Sequence, residues 1–108
     1  MNLSLEQLLQ NRFTALEERL QDACHRAGRN RNEITLVAVT KTIPVEVARL
    51  LPDIGVFNLG ESRPQELWRK AAALPSSVRW HLIGHLQRNK VERTLRLDPL
   101  IHSVDSVA

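Results

Sequence analysis

The segment Ile34-Thr-Leu-Val-Ala-Val-Thr-Lys41 decides the fold class of this chain. Residues 34–40 form a nearly continuous apolar run rich in β-branched side chains, a pattern typical of a strand that is covered on both faces, as in a parallel sheet. Every second residue of such a strand lies on one face, so Thr35 and Lys41 share a face. The segment therefore predicts a buried strand that brings Lys41 to the carboxyl-terminal edge of a sheet.

Upstream of this strand, the sequence predicts one amphipathic helix over residues 4–27. Ser4 and Gln7 have the spacing of a capping box, and the apolar residues that follow recur at helical intervals. Gly28 stands where this pattern stops, as a glycine often does just past the end of a helix. The helix is expected to lay its apolar stripe against the elements that follow.

Downstream of the strand, helical and strand patterns alternate with short connections. Pro44 suits the first turn of a helix, and Pro52 is expected to end that helix. The sequence predicts further strands over residues 55–60, 78–84 and 100–104, and helices over residues 45–51, 63–74 and 86–97.

This alternation predicts an α/β fold with a parallel sheet and right-handed crossovers. A complete (β/α)8 barrel of the TIM type takes about 250 residues, so a chain of 108 residues holds about half of one. We expect residues 1–108 to be the N-terminal part of a single barrel domain, with a long helix within residues 1–30 and about four β/α units in residues 31–108. The alternative is a four-stranded open sheet that is complete in itself.

The composition is that of a soluble domain, with 25% charged and 43% hydrophobic residues. No stretch is apolar for the ~18 residues that a membrane span needs, and a signal peptide is not evident, so a cytoplasmic location is expected. The net charge of +3 invites a nucleic-acid hypothesis. Because the arginines are spread along the chain with acids nearby, solvated helix surfaces are the favoured interpretation, and a small basic nucleic-acid or protein-binding module is a lesser alternative.

Polar residues collect at the predicted carboxyl ends of the strands, where sites form in barrels and open α/β sheets. The residues at these ends are Lys41, Asn58, Glu61, His81, Gly84, His102 and Asp105, all of them polar except Gly84. His81, between two apolar residues, suits either a core position or a site. The histidine spacing does not favour a metal site.

Position alone leaves two roles open for Lys41. Its stem can follow the strand while the amine reaches water. In a desolvated setting, the same amine can instead act as a nucleophile that forms a Schiff base. The other two lysines, Lys70 and Lys90, fall within predicted helices and are expected to be solvated.

Four blocks of the sequence resemble, in order and spacing, the pyridoxal phosphate homeostasis proteins, the YggS/PROSC-type family. The third block is long enough to be highly specific. The blocks are Val39-Thr-Lys41-Thr42 with Pro44, Asn58-Leu-Gly-Glu61 with Gln65-Glu66, Trp80-His-Leu-Ile-Gly-His-Leu-Gln-Arg-Asn-Lys90, and His102-Ser-Val-Asp105.

The resemblance implies a fold-type III barrel, similar to the N-terminal domain of alanine racemase, that binds pyridoxal 5'-phosphate (PLP) as an internal aldimine. Lys41 matches the Schiff-base lysine of the family. Asn58 matches a position beside the cofactor, and Glu61 and His81 match positions near it. No catalytic residue and no metal ligand is implied.

The resemblance also implies a role in vitamin B6 and amino-acid homeostasis without robust catalysis, with PLP-dependent apoenzymes as acceptors of the cofactor. A racemase of this fold needs a second acid/base, typically a tyrosine, and this chain contains no Tyr. A PLP-dependent racemase or lyase of the same fold is the alternative. The full-length protein is expected to be a monomer that binds neither membranes nor nucleic acid. If the chain ends at residue 108, its unpaired sheet edge and half-covered core predict self-association or disorder.

Overall fold

The computed structural model describes residues 4–84 and 86–102. These residues form two compact units that divide between Leu36 and Val37. In chain order the elements are α1 (Leu5–Ala27), a 3₁₀ turn (Arg31–Glu33), β1 (Ala38–Val39), α2 (Val45–Ala48), α3 (Leu50–Asp53), β2 (Asn58–Glu61), α4 (Pro64–Ala73), β3 (Arg79–Leu82), a second 3₁₀ turn (Arg88–Lys90), α5 (Val91–Leu95) and β4 (Leu100–Ile101).

The first unit is built on α1, whose predicted ends are confirmed. The hydroxyl of Ser4 accepts from the amide of Gln7 at 3.1 Å, and the Gln7 side chain accepts from the amide of Ser4 at 3.2 Å. Gly28 ends the helix in the left-handed conformation, with φ 68°. Beyond the helix, the guanidinium of Arg31 pairs with the carboxylate of Glu17 at 2.5 Å. Both ends of α1 are therefore fixed by local contacts between residues that could be identified in the sequence.

The second unit contains a parallel four-stranded sheet in the order β1-β2-β3-β4, which confirms the α/β prediction. The register places Val39 beside Gly60, Gly60 beside His81, and His81 beside Leu100. Residues beside one another in this register lie on the same face of the sheet. The sheet therefore has two faces of different composition.

One face of the sheet packs against α4, which contacts β2 and β3. Leu59, Leu82 and the helix residue Leu67 are fully buried there. The opposite face carries Val39 and Leu100, of which 45% and 52% are exposed. We call this second side, which also holds Gly60 and His81, the open face. The core of the second unit thus lies on the helix side of the sheet.

Several predicted elements are shorter than expected. The strand predicted over residues 34–40 is reduced to Ala38–Val39, because β1 pairs only with β2 in the described sheet. The helix predicted over residues 86–97 is a 3₁₀ turn followed by α5, Val91–Leu95. The strand predicted to begin at residue 100 is Leu100–Ile101, and residues 103 and 104 lie outside the described part.

Pro52 does not end a helix, and this expectation was wrong. Two short helices replace the single predicted one, with Arg49 between them, and Pro52 lies inside the second, Leu50–Asp53. A proline in the first turn of a helix removes no helical hydrogen bond, because the amide it lacks would have no partner within the helix.

A polar contact joins α4 to α5. The indole of Trp68 donates to the hydroxyl of Thr94 at 2.9 Å, and the guanidinium of Arg93 lies 4.4 Å from the centre of the Trp68 ring.

Within residues 4–84 and 86–102, none of the helices combines the length and apolarity that a membrane crossing requires.

Candidate functional site

A cleft of about 590 Å³ opens at the carboxyl ends of β1 and β2. Its walls come from the connection that follows β1, from the end of β2 and from α4. We call it the Lys41 cleft. Its polar lining residues are Lys41, Thr42, Glu61, Ser62, Arg63, Glu66, Arg69 and Lys70.

Lys41 lies in a turn immediately beyond β1 and is exposed. The turn is closed by the amide of Ile43, which donates to the carbonyl of Thr40 at 3.0 Å. The strand ends at Val39, so strand alternation no longer fixes the direction of the Lys41 side chain. The backbone of this short turn therefore determines where the amine can go.

Beneath the cleft, three side chains form a buried polar group that we call the Glu61 cluster: Thr40, Glu61 and Lys70. Each has at most 1% of its surface exposed. The amine of Lys70 donates to Oε2 of Glu61 at 2.6 Å and to the carbonyl of Thr40 at 2.5 Å. The hydroxyl of Thr40 donates to the same Glu61 oxygen. The cluster thus ties the end of β1 to β2 and α4.

The second carboxylate oxygen of Glu61, Oε1, is buried and has no hydrogen-bond partner among the described residues. A buried acceptor without a partner is costly, and in native proteins it usually indicates a binding role or an ordered solvent molecule. Glu61 also lines the Lys41 cleft, but Oε1 itself is buried and not exposed to the cleft.

The outer wall of the cleft carries a second ion pair. Glu66 and Arg69 lie one helical turn apart on α4, with 2.5 Å between carboxylate and guanidinium. The hydrogen bond from Arg69 lowers the pKa of Glu66, and the same bond raises the pKa of Arg69. Glu66 is therefore ionised at neutral pH and is a poor proton donor.

On the open face, the His81 side chain of β3 contacts Asn58 of β2 and His102, the residue that follows β4. Its Nε2 lies 2.9 Å from Oδ1 of Asn58, and its Nδ1 lies 2.9 Å from Nε2 of His102. The Asn58 oxygen can only accept, so His81 carries its proton on Nε2 and uses Nδ1 to accept from His102. Burial, followed by the charges of His102 and Arg79, lowers the pKa of His81. His81 is accordingly neutral at pH 7.

The four residues predicted for the site fall into two groups. Lys41 and Glu61 line the same cleft. Asn58 and His81 hydrogen-bond to each other on the open face and are not among the residues that line the cleft. Glu61 faces the helix side of the sheet, where it is bound to Lys70. The structure therefore brings the predicted residues together in pairs.

Sequence reasoning missed Lys70, which was expected to be a solvated helix residue and is instead buried. The signal was present in the helical spacing. Lys70 lies three residues after Leu67 and four before Leu74, both of which are buried. A lysine in that position falls on the apolar stripe of its helix. There its charged amine needs a buried acid or carbonyl that accepts its hydrogen bonds.

The chain is similar in sequence to several curated proteins of one name, although no family model matches it. It is 43% identical to the pyridoxal phosphate homeostasis protein of Aquifex aeolicus over 95 residues, which cover 87% of this chain and 42% of that protein. It is 35% identical to the protein of the same name from Mycobacterium leprae, over 94% of this chain and 44% of the relative. The chain thus spans less than half the length of the curated relatives it matches.

Two solved structures have the same fold over most of the chain. A protein of unknown function from Bifidobacterium adolescentis superposes with a TM-score of 0.81 at 30% identity, over 98% of this chain and 48% of that one. PipY of Synechococcus elongatus, solved without PLP, superposes with a TM-score of 0.62 at 33% identity, over 82% and 42%. With the sequence matches, these likenesses place the chain in the pyridoxal phosphate homeostasis protein family.

Proposed function

We propose that the chain is part of a PLP-binding (β/α)8 barrel of fold type III that holds the cofactor covalently through Lys41. In this proposal the protein serves vitamin B6 homeostasis in the cytoplasm and passes PLP to apoenzymes. The shared name of its relatives supports the link to PLP. The parallel sheet, with strand ends that meet at one edge, supports the barrel.

The observation that carries the proposal is the exposed amine of Lys41 on the wall of a cleft of about 590 Å³. A primary amine is the group that an aldehyde requires for covalent binding. Arg63 lines the same cleft and supplies positive charge, which suits an anionic, phosphorylated ligand. The residues present therefore fit the aldehyde end of PLP and its charge.

Lys41 is the residue that would form the covalent bond. Its neutral Nζ would supply the nucleophile that an aldehyde requires, with water as the leaving molecule. The attachment would be reversible, so a second amine could take the place of the lysine. When bound, PLP supplies an electron sink for carbanion chemistry.

The other three predicted residues are proposed to serve the cofactor site from two different sides of the sheet. Asn58 and His81 belong to the open face, where their mutual hydrogen bond fixes the orientation of both side chains. Glu61 lies beneath the cleft, where its carboxylate is bound to Lys70.

Two ion pairs support a carrier over a racemase or lyase. Besides the lysine amine, a racemase of this fold needs a second acid/base positioned at the substrate. Both carboxylates that line the cleft are bound to cations, Glu61 to Lys70 and Glu66 to Arg69. Within the described residues, the cleft therefore offers an amine for binding but no carboxylate that is free to remove a proton.

Borohydride trapping tests the assignment. The chain is incubated with PLP and reduced, and the modified lysine is located by peptide mass spectrometry. We expect the adduct on Lys41, its loss in Lys41→Ala, and its retention in the matched control Lys90→Ala. An adduct that persists in Lys41→Ala would overturn the assignment.

A turnover assay tests the carrier role separately. The chain is incubated with PLP and single amino-acid enantiomers, and racemisation and elimination are followed. We expect neither reaction at an enzymatic rate. Turnover near the ~10 per second that is ordinary for enzymes would favour the racemase or lyase alternative.

A further inference from the structure

Lys70 occupies a position that is unfavourable for a lysine. It lies on α4 between the buried Leu67 and Leu74, and only 1% of its side chain is exposed. A lysine is rarely buried to this extent, since removing its charge from water is costly unless a partner compensates. The groups that accept hydrogen bonds from the Lys70 amine therefore explain its position.

The two groups that accept hydrogen bonds from Lys70 also hold Thr40, the residue before Lys41. The amine of Lys70 donates to the carbonyl of Thr40 and to Oε2 of Glu61, which also accepts from the Thr40 hydroxyl. The amide of Thr40 donates to the carbonyl of Gly60 at 2.9 Å. The amide, carbonyl and side chain of Thr40 are therefore all held by hydrogen bonds.

The Thr40 carbonyl also governs the Lys41 turn. It accepts from the amide of Ile43 as well as from Lys70, so one oxygen connects the buried amine to the backbone that carries Lys41. A long exposed side chain loses rotational freedom when it must react at one place, and a fixed backbone reduces that loss. The cluster thus restricts the region that the Lys41 amine can reach.

Stability alone is a weak reason for such an arrangement. A buried ion pair is often no more stabilising than well-packed apolar side chains of similar volume, because desolvation offsets the attraction. What an apolar replacement cannot provide is a donor to the Thr40 carbonyl. A directed hydrogen bond to one backbone oxygen is a geometric constraint.

We propose that Glu61 and Lys70 are positioning residues for Lys41, acting through Thr40. In this view the contribution of Glu61 to the site is mainly indirect, through the turn that it and Lys70 hold. The inference rests on the proposed function, because Lys41 is the residue to be positioned.

The test uses a variant that removes both charges together, Glu61→Gln with Lys70→Met. The pair leaves no unpartnered buried charge, the glutamine can still accept from the Thr40 hydroxyl, and methionine approximates the lysine stem. Lys90→Met is the matched control for the loss of one lysine. Circular dichroism and thermal unfolding establish that each protein is folded.

Two measurements are made on each folded protein. The first is the yield of borohydride-trapped PLP on Lys41, compared with the acetylation rate of the same amine by a small reagent that needs no binding site. The second is amide hydrogen exchange at Ile43, compared with the amide of Arg79, which donates to the carbonyl of Phe57 at 2.7 Å. The Arg79 amide is the internal reference because it lies away from the Glu61 cluster.

In the double variant we expect trapping on Lys41 to fall and Ile43 exchange to rise, each by roughly tenfold, the factor that corresponds to losing one hydrogen bond from a charged donor. Acetylation of Lys41 and exchange at Arg79 should stay at the level of Lys90→Met. If the folded double variant matches Lys90→Met in trapping and in Ile43 exchange, the positioning role is wrong.

Wild-type protein provides a measurement that does not depend on the variant folding. Lys70 should resist acetylation while Lys41 and Lys90 react, and equal rates at Lys70 and Lys90 in the folded chain would overturn the proposal. Absence of trapping on wild-type Lys41, together with the expected change in Ile43 exchange, would count against the proposed function alone. The two failures are therefore distinguishable.

Discussion

The amine of Lys70 and Oε2 of Glu61 lie 2.6 Å apart, with 1% of either side chain exposed. At this degree of burial, neither charge can be stabilised by bulk water if the other is removed. The two residues are nine positions apart in sequence, one on α4 and the other at the end of β2. The pair therefore joins a helix to a strand, and breaking it should change the stability of the protein.

Lys70→Met should destabilise the chain by about 3–5 kcal/mol, because it leaves the Glu61 carboxylate buried without a cation. The free energy of unfolding in urea is the measurement. Lys90→Met, which removes a lysine elsewhere, should change it by no more than about 0.5 kcal/mol, as surface substitutions usually do. Equal effects of the two substitutions would show that Lys70 is solvated in the folded protein.

Thr40→Val should cost about 1–3 kcal/mol, because the Glu61 carboxylate loses a hydroxyl donor while the shape of the side chain is kept. Thermal unfolding followed by circular dichroism gives the comparison. Thr42→Val is the matched control, since Thr42 is exposed. If both threonine substitutions have the same small effect, the Thr40 hydroxyl does not contribute to the cluster.

Stability should fall as the solution is acidified below neutral pH, in part because of His81. Burial lowers the pKa of this residue from its ordinary value of 6.5, so the unfolded chain binds a proton at higher pH than the folded chain does. The contribution is fully present above pH 6.5 and is lost as the pH falls from 6.5 towards the lowered value.

Urea unfolding at a series of pH values measures this loss, and a nuclear magnetic resonance titration locates the transition. The slope between pH 6.5 and the lowered pKa should flatten in His81→Gln relative to the exposed control His25→Gln. A His81 resonance that titrates above 6.5 in the folded chain would contradict the prediction.

Gly84→Ala should destabilise the chain more than Gly60→Ala does. A Cβ atom at residue 84 would overlap the backbone carbonyl of Ser62, which cannot move without disturbing the end of β2. At residue 60 the nearest atom is Cγ1 of Val37 at 3.1 Å, a side-chain atom that can shift. We expect at least ~3 kcal/mol for the first substitution and ~1 kcal/mol for the second, measured by urea unfolding. The reverse order would contradict the placement of Gly84 against Ser62.

Much of the fold followed from the sequence because its signals are local. The capping box at Ser4 and the left-handed glycine at residue 28 fix α1 without help from the rest of the chain. The parallel direction of the strands followed from the alternation of elements. Strand lengths did not, because they depend on how many residues of a neighbour are available to pair, as the two residues of β1 show.

The candidate site was predictable in part for the same reason. Lys41 was identified because it ends an apolar run, which is visible along the chain. The role of Lys70 depends on Glu61 and on Thr40, thirty positions away, and such a partnership exists only in the folded protein. Asn58 was predicted at the carboxyl end of its strand but is the first residue of β2, and the sequence does not show that it would pair with His81 on the open face.

The contact between Gly84 and Ser62 has a mechanical consequence for the Lys41 cleft. Ser62 is part of the cleft wall, and its carbonyl rests directly against the backbone just beyond β3. The segment that follows β2 therefore cannot swing towards β3 when a ligand enters. Because hydrogen bonds to Thr40 also hold the turn on the other wall, a ligand must fit the cleft with little widening.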